Sequence, residues 1–155
     1  MFLQKEELRS TVYAYQLDQI TEEDDSIIDM GINAAIEEVK SYLTPNNKKD
    51  WRDGRPRYDA TAIFAATGIT RNALILELTK TIAEWWIIRL CNADIIHERV
   101  KERYDRAIDY FKQIASGKVT IAALPLLPAN NNDGVTTTTT ALPFRMGGRA
   151  KFTHE

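Results

Sequence analysis

Disulfide chemistry is the first thing this chain of 155 residues lacks. Cys91 is its only cysteine, so no intrachain bridge can form, and a reduced, cytosolic folding environment is expected, with the thiol as a small core residue. Histidine is nearly as scarce. His97 and His154 are the only two, neither has a cysteine or acidic pair at ligand spacing, and no metal site is expected. Long apolar runs are missing as well. The richest stretch, Leu74 to Cys91, is interrupted by Glu77, Lys80, Glu84 and Arg89, well short of the ~20 apolar residues a bilayer requires, so no membrane partner is expected. Met1-Phe2-Leu3 runs at once into Gln4, Lys5, Glu6 and Glu7, which leaves no apolar core for a secretory leader. There is no excess of one charge either. A net charge of −2 gives no footprint for wrapping nucleic acid, a local basic patch aside.

The parts of an enzyme are missing too. Nucleophilic catalysis needs a Ser or Cys beside a positioned His, and Cys91 falls on the most apolar segment, where a thiol is normally inert. Gly147-Gly148 has no following Lys-Ser/Thr pair and no helix, so it is not a phosphate loop. The acidic run Glu22–Asp25 lacks the alternating ligands and the glycine of a calcium loop, and helix capping accounts for it. No catalytic residue and no cofactor is expected.

What is present reads as one domain with a modest core, at the usual size of ~100–150 residues. Hydrophobic residues at 44% and charged residues at 27% are near the averages for soluble globular proteins. Two short helical pieces, residues 3–9 and 11–19, open the chain, with Ser10-Thr11 supplying a cap to the second. Thr21-Glu22-Glu23-Asp24 resembles a capping box, and the acidic first turn suits the positive end of a helix dipole. Over residues 22–44, Ile28, Ile32, Ala35, Ile36, Val39 and Leu43 recur at helical spacing, and Pro45 closes the segment. Residues 46–58 read as an exposed loop, and residues 59–67 as a short helix ended by Gly68.

A second long helix is predicted from Thr70. Its Leu74, Ile75, Leu78, Ile82, Trp85, Trp86, Ile88 and Leu90 cover more than half the circumference, which predicts burial on several sides. Trp85-Trp86 is expected to pack rather than to stack on bases. After a break at Asn92-Ala93-Asp94, a third long helix carries Val100, Tyr104, Ala107, Ile108, Phe111 and Ile114, and Gly117 stops it. Three such stripes are buried only against one another. The expected fold is all-α, a small bundle of three long helices plus short N-terminal ones over residues 1–117.

Residues 118–155 change character and are expected to form an extended arm. Pro125 and Pro128 forbid helix, residues 130–134 are turn-forming, and Thr136–Thr140 is a β-branched run. Ordering a backbone costs ~1–2 kcal/mol per residue, and these Asn and Thr runs bury too little apolar surface to offset it. The arm therefore needs a partner. Thr136, Thr138 and Thr140 suit addition to a sheet edge, Phe144 and Phe152 suit pockets, and Arg145 and Arg149 suit the rim. A plain flexible linker is the competing reading; the aromatics placed beyond it argue against that.

The segment Val100-Lys101-Glu102-Arg103-Tyr104-Asp105-Arg106-Ala107-Ile108-Asp109-Tyr110-Phe111, followed by Ile114-Ala115-Ser116-Gly117-Lys118-Val119, resembles the Mu-like tailed-phage head-completion, or head–tail connector, family. The opening Phe2-Leu3 with Glu6-Glu7-Leu8, the segment Ile32 to Leu43, and Ala83 to Leu90 resemble its earlier helices, so the similarity covers roughly residues 2–120. These motifs are helix-packing patterns. The resemblance implies a ring-forming adaptor, usually twelve-fold, in the virion neck. Such a ring completes the head, extends the DNA channel, and contacts the portal protein and a tail-side stopper or terminator. The protein would be made in the bacterial host cytoplasm. The chain departs from the family's short Pro-containing connection in its loop, and its Thr-rich arm is longer.

That loop has a local charge of +3, from Lys48, Lys49, Arg52, Arg55 and Arg57 against Asp50 and Asp53, with Trp51 interleaved. It suits docking on an acidic neighbour, non-specific contact with DNA phosphates in a channel, or simple solvation. Glu22, Glu23, Asp24, Asp25 and Asp29 supply an acidic face, and in a head-to-tail ring the two features would lie on opposite faces of each subunit. Two other classes remain open. One is a cytosolic helical scaffold that recruits a partner through the arm. The other is a DNA-binding regulator, which ranks last because Glu98, Glu102, Asp105 and Asp109 cancel the basic residues of the last helix.

Overall fold

A computed structural model describes residues 2–44, 56–91 and 98–127. Of these, 72% are helical, and no strand is present among them. A 3-10 turn, Lys5–Ser10, is followed by α1 (Ala14–Thr21), α2 (Asp25–Leu43), α3 (Ala60–Ala65), a short 3-10 turn at Gly68–Thr70, α4 (Ala73–Leu90) and α5 (Glu98–Ala115). The all-α expectation holds.

The start of α2 differs from the sequence expectation. Thr21 does not cap it; its hydroxyl donates to Leu17 O at 3.0 Å inside α1, where the side chain is buried. With Thr21 so used, α1 runs two residues further than expected and ends in a left-handed residue, Glu22 at φ 53°, followed by Glu23 at φ 64°. Asp24 caps α2 instead, accepting from Ser26 N–H at 2.9 Å. The Ser26 side chain, and then this backbone bond, hold the Asp24 carboxyl below its usual pKa, and the backbone bond satisfies one of the free donors at the helix start.

The predicted stripe of α2 is buried throughout: Ile28, Ile32, Ala35 and Val39 are sealed from solvent, and Ile36 and Leu43 nearly so. It packs most extensively on α4, and α5 lies against both. Gly31 makes the close approach possible. A Cβ placed there would stand 2.5 Å from Ile87 Cγ1 and 3.1 Å from the Ile87 backbone nitrogen. On α5 the predicted stripe is likewise inward, with Phe111 sealed and Ala107, Ile108 and Ile114 buried, while its charged residues face water. On α4 the expectation needs correction at both ends: Leu74 and Leu90 are 44% and 39% exposed. In exchange α4 buries Thr79, Lys80 and Glu84.

Gly117 stops α5 as expected, at φ 77°. Gly117 N–H donates to Ile114 O and Lys118 N–H to Gln113 O, both at 2.9 Å, the paired bonds of a Schellman ending. The change of composition at Gly117 nevertheless does not mark the end of packing. Leu124 is buried, and Val119 and Ile121 pack on the core. Ile121 N–H donates to Tyr58 Oη at 2.8 Å. Asp59 N–H donates to Pro125 O at 2.9 Å, and Leu127 N–H to Arg57 O at 2.7 Å, around an isolated antiparallel bridge between Tyr58 and Leu126. Residues 118–127 therefore belong to the helical unit. The apolar Val119–Leu124 run supplies this burial.

Candidate functional site

The acidic face lies at one end of α2. Glu22, Glu23, Asp24, Asp25 and Asp29 are all exposed. Lys5 is the cation that answers them, its Nζ 2.5 Å from Asp25 and 3.1 Å from Asp18. These partners raise the Lys5 pKa, with the hydrogen bond to Asp25 the main cause. Glu22, Glu23 and Asp29 have no ion-pair partner among the described residues, so the face keeps a net negative field. The basic loop leaves α2 at its other end, beyond Thr44. At 1.5 Å per residue the two ends are about 28 Å apart. Of the loop's candidates only Arg57 is described, half-buried with its carbonyl in the bridge to Leu127. Lys48, Lys49, Trp51, Arg52 and Arg55 lie outside the described residues. So do all the arm candidates: Thr136, Thr138, Thr140, Phe144, Arg145, Arg149 and Phe152.

A cleft of about 430 Å³ opens between α3, the start of α4 and the returning segment, with Ala62, Ala66, Ala73 and Leu124 among its walls. Arg71 stands at this cleft. It is fixed by Glu7, to whose carboxylate it donates twice, at 2.8 and 2.5 Å, while also donating to Phe2 O at 2.7 Å. Sequence reading passed over Arg71, since nothing local to it signals a partner sixty-four positions earlier.

Two further polar sites were also missed. Glu38 of α2 accepts from Trp86 Nε1 of α4 at 2.7 Å and from Tyr104 Oη of α5 at 2.8 Å, which ties the three long helices through one carboxylate. Burial, and then the Glu38 acceptor, raise the Tyr104 phenol well above its usual range, so it stays a donor. The tryptophans pack as expected, Trp85 stacking on Tyr104 at 5.1 Å and Trp86 lying under Arg89 at 5.4 Å. Cys91 is half-buried, and burial pushes its thiol up. Among the described residues no group of three or more His, Cys, Asp or Glu side chains is placed to hold a metal ion. No helix among them is long and apolar enough to cross a membrane.

The second missed site is Glu84, 6% exposed, with Oε2 buried and without a hydrogen-bond partner among the described residues. Arg103 Nη1 approaches it only to 3.9 Å. The signal was a carboxylate in the most apolar helix, read from sequence only as an interruption. Desolvation raises the Glu84 pKa above 4.5, and Arg103 offsets this in part. A carboxyl whose folded pKa is raised favours the fold fully below its unfolded pKa and loses that contribution as pH rises through the folded value. Glu84→Gln is therefore expected to be more stable than the parent at pH 8, by about 1 kcal/mol or more, and to converge on it towards pH 4. Urea titrations at the two pH values measure this; equal gains at both would remove the charge from the explanation.

Models of known protein families, curated proteins and solved structures were each compared with this chain, and none matches.

Proposed function

We propose that this protein is a structural virion protein of a tailed phage or prophage: a ring-forming adaptor in the neck that completes the head, extends the DNA channel, and contacts a portal protein on one side and a stopper or terminator on the other. The feature that carries the reading is a change of composition late in the chain. The long helices carry apolar stripes that pack on one another. The segment 128–155 combines turn-forming and β-branched runs with Phe144 and Phe152, a composition suited to borrowing surface from a neighbour. Separation of the acidic face from the stem of the basic loop along α2 supports head-to-tail repetition, in which each copy offers unlike ends to the next. The string that resembles the connector family occupies α5 and its glycine stop, an element that supports the core and leaves the charged faces available.

The test is deletion of residues 142–155 in the full chain. Helical circular dichroism and thermal midpoint are expected to stay within error of the parent, while the yield of completed particles by electron microscopy falls at least tenfold. Normal particle yield from the deletion would reject the assembly role of the arm. Failure of the parent to form rings, alone or with purified portal, would reject the adaptor reading itself.

A further inference from the structure

Tyr58 and Leu126 face one another as the non-hydrogen-bonded pair of an antiparallel ladder, flanked by the bonds from Leu127 to Arg57 and from Asp59 to Pro125. In that register the N–H and C=O of Leu126 turn away from Tyr58, and neither has a partner among the described residues. The Leu126 side chain is 58% exposed. A short backbone edge beside an exposed apolar residue is a template for a further strand. Next to it lies the alanine-walled cleft of about 430 Å³. Ile69 and Leu74, chain neighbours of the cleft residues Thr70 and Ala73, are 102% and 44% exposed. Small walls, exposed apolar neighbours and a free edge form one surface built to receive an extended segment with a large apolar anchor.

We propose that this surface receives the C-terminal arm of a second copy of the chain, the Thr136–Thr140 run pairing along the outer edge of Leu126 and Phe144 filling the cleft. The proposal rests on the assembly reading above and gives it a specific receptor. Phe144 lies four positions beyond Thr140, on the order of 13 Å of extended chain, which suits an edge at Leu126 and a cleft lined by the preceding Leu124 and Pro125. Threonines supply backbone pairing and alternate side chains, and the phenyl ring supplies the buried anchor. A tight return of the same chain meets a conflict in doing this. A return tight enough to pair the threonine run must turn within residues 128–134 and run back antiparallel. Thr136 and Thr138 would then lie beside the cleft, and Phe144 would be carried about 20 Å past it. A second copy has no such tie between register and turn.

Site-directed crosslinking in the full chain tests this. In a Cys91→Ala background, Ala66→Cys is placed in one chain and Arg145→Cys in another carrying a mass tag, and the two are mixed and oxidised. Heterodisulfides at least tenfold in excess over either homodimer are expected, and Phe144→Ser in the tagged chain is expected to abolish them. Heterodisulfides no more frequent than homodimers would overturn the proposal. So would a chain carrying both cysteines that closes on itself and leaves no interchain product. If particles complete normally while the crosslink is absent, this receptor is wrong and the adaptor reading stands. If the parent forms no rings with portal, the adaptor reading fails on its own evidence.

Discussion

Gly31→Val is expected to remove much of the stability of the fold, and Gly31→Ala a measurable part of it. The Cβ of alanine would press on Ile87 Cγ1 at 2.5 Å and on the Ile87 nitrogen and Cα at 3.1 and 3.2 Å. Rotation of the Ile87 side chain relieves the first contact at the cost of a rotamer in a sealed core. Only separation of α2 from α4 relieves the other two. Overpacking of this kind costs ~1–3 kcal/mol, against a gain of ~1 kcal/mol from replacing a helical glycine. A net loss of up to about 2 kcal/mol for alanine is therefore expected in urea unfolding. Valine adds two methyl groups to the same seam and should lose ~3 kcal/mol or more, a large share of a typical ~5–15 kcal/mol. Ile87→Ala removes the Cγ1 that the new Cβ would meet, so its loss and that of Gly31→Ala should combine to less than their sum, and the double-mutant cycle reads the coupling directly. A stabilising Gly31→Ala would mean that α2 and α4 do not meet at this distance.

The second large effect is expected at Arg71. Its guanidinium holds both Glu7 oxygens and the Phe2 carbonyl, and its Nε donates to Gly68 O at 3.0 Å. These bonds join the N-terminal segment to the turn before α4 and support the cleft wall. Both side chains are mostly covered, at 12% and 25% exposure. Arg71→Met leaves the Glu7 carboxylate and the Phe2 carbonyl short of donors, for an expected loss of about 2 kcal/mol once solvent access to Glu7 is allowed for. Arg71→Lys keeps the charge, loses the two-pronged geometry, and should fall between. The Arg71 hydrogen bonds, ahead of the opposing desolvation, lower the Glu7 pKa below 4.5. A depressed carboxylate stabilises above its unfolded pKa and loses that contribution as pH falls through the folded value. The parent should therefore lose stability on acidification below about pH 4.5, and Arg71→Met should lose less over the same interval. Parallel acid limbs in the two proteins would show that the pair does not set this dependence.

Much of the fold was legible because its helices announce themselves locally. The buried residues of α2 and α5 were readable from three- and four-residue spacing, and Gly117 from its position after a periodic segment. Local rules failed where one residue had two possible employments. Thr21 could cap the next helix or bond within its own, and burial of its side chain on the bundle decided for the second. The segment 118–127 read as the start of an arm because prolines exclude helix. That rule says nothing of whether an irregular stretch finds a core to cover, and Leu124 does. The acidic face was legible as composition. Its distance from the loop stem needed only the length of α2.

The amino-acid sequence by itself determined the class of fold and the faces that α2 and α5 bury. Each follows from interactions between near neighbours in the chain, where periodicity and composition carry the energy. Tertiary structure alone decided that Glu38 joins three helices, that Arg71 ties down the N-terminal segment, that Glu84 Oε2 finds no hydrogen-bond partner among the described residues, and that a cleft opens near Leu126. Those features depend on which distant residues meet, and the free energy of a polar contact is set by the partner and the water it excludes.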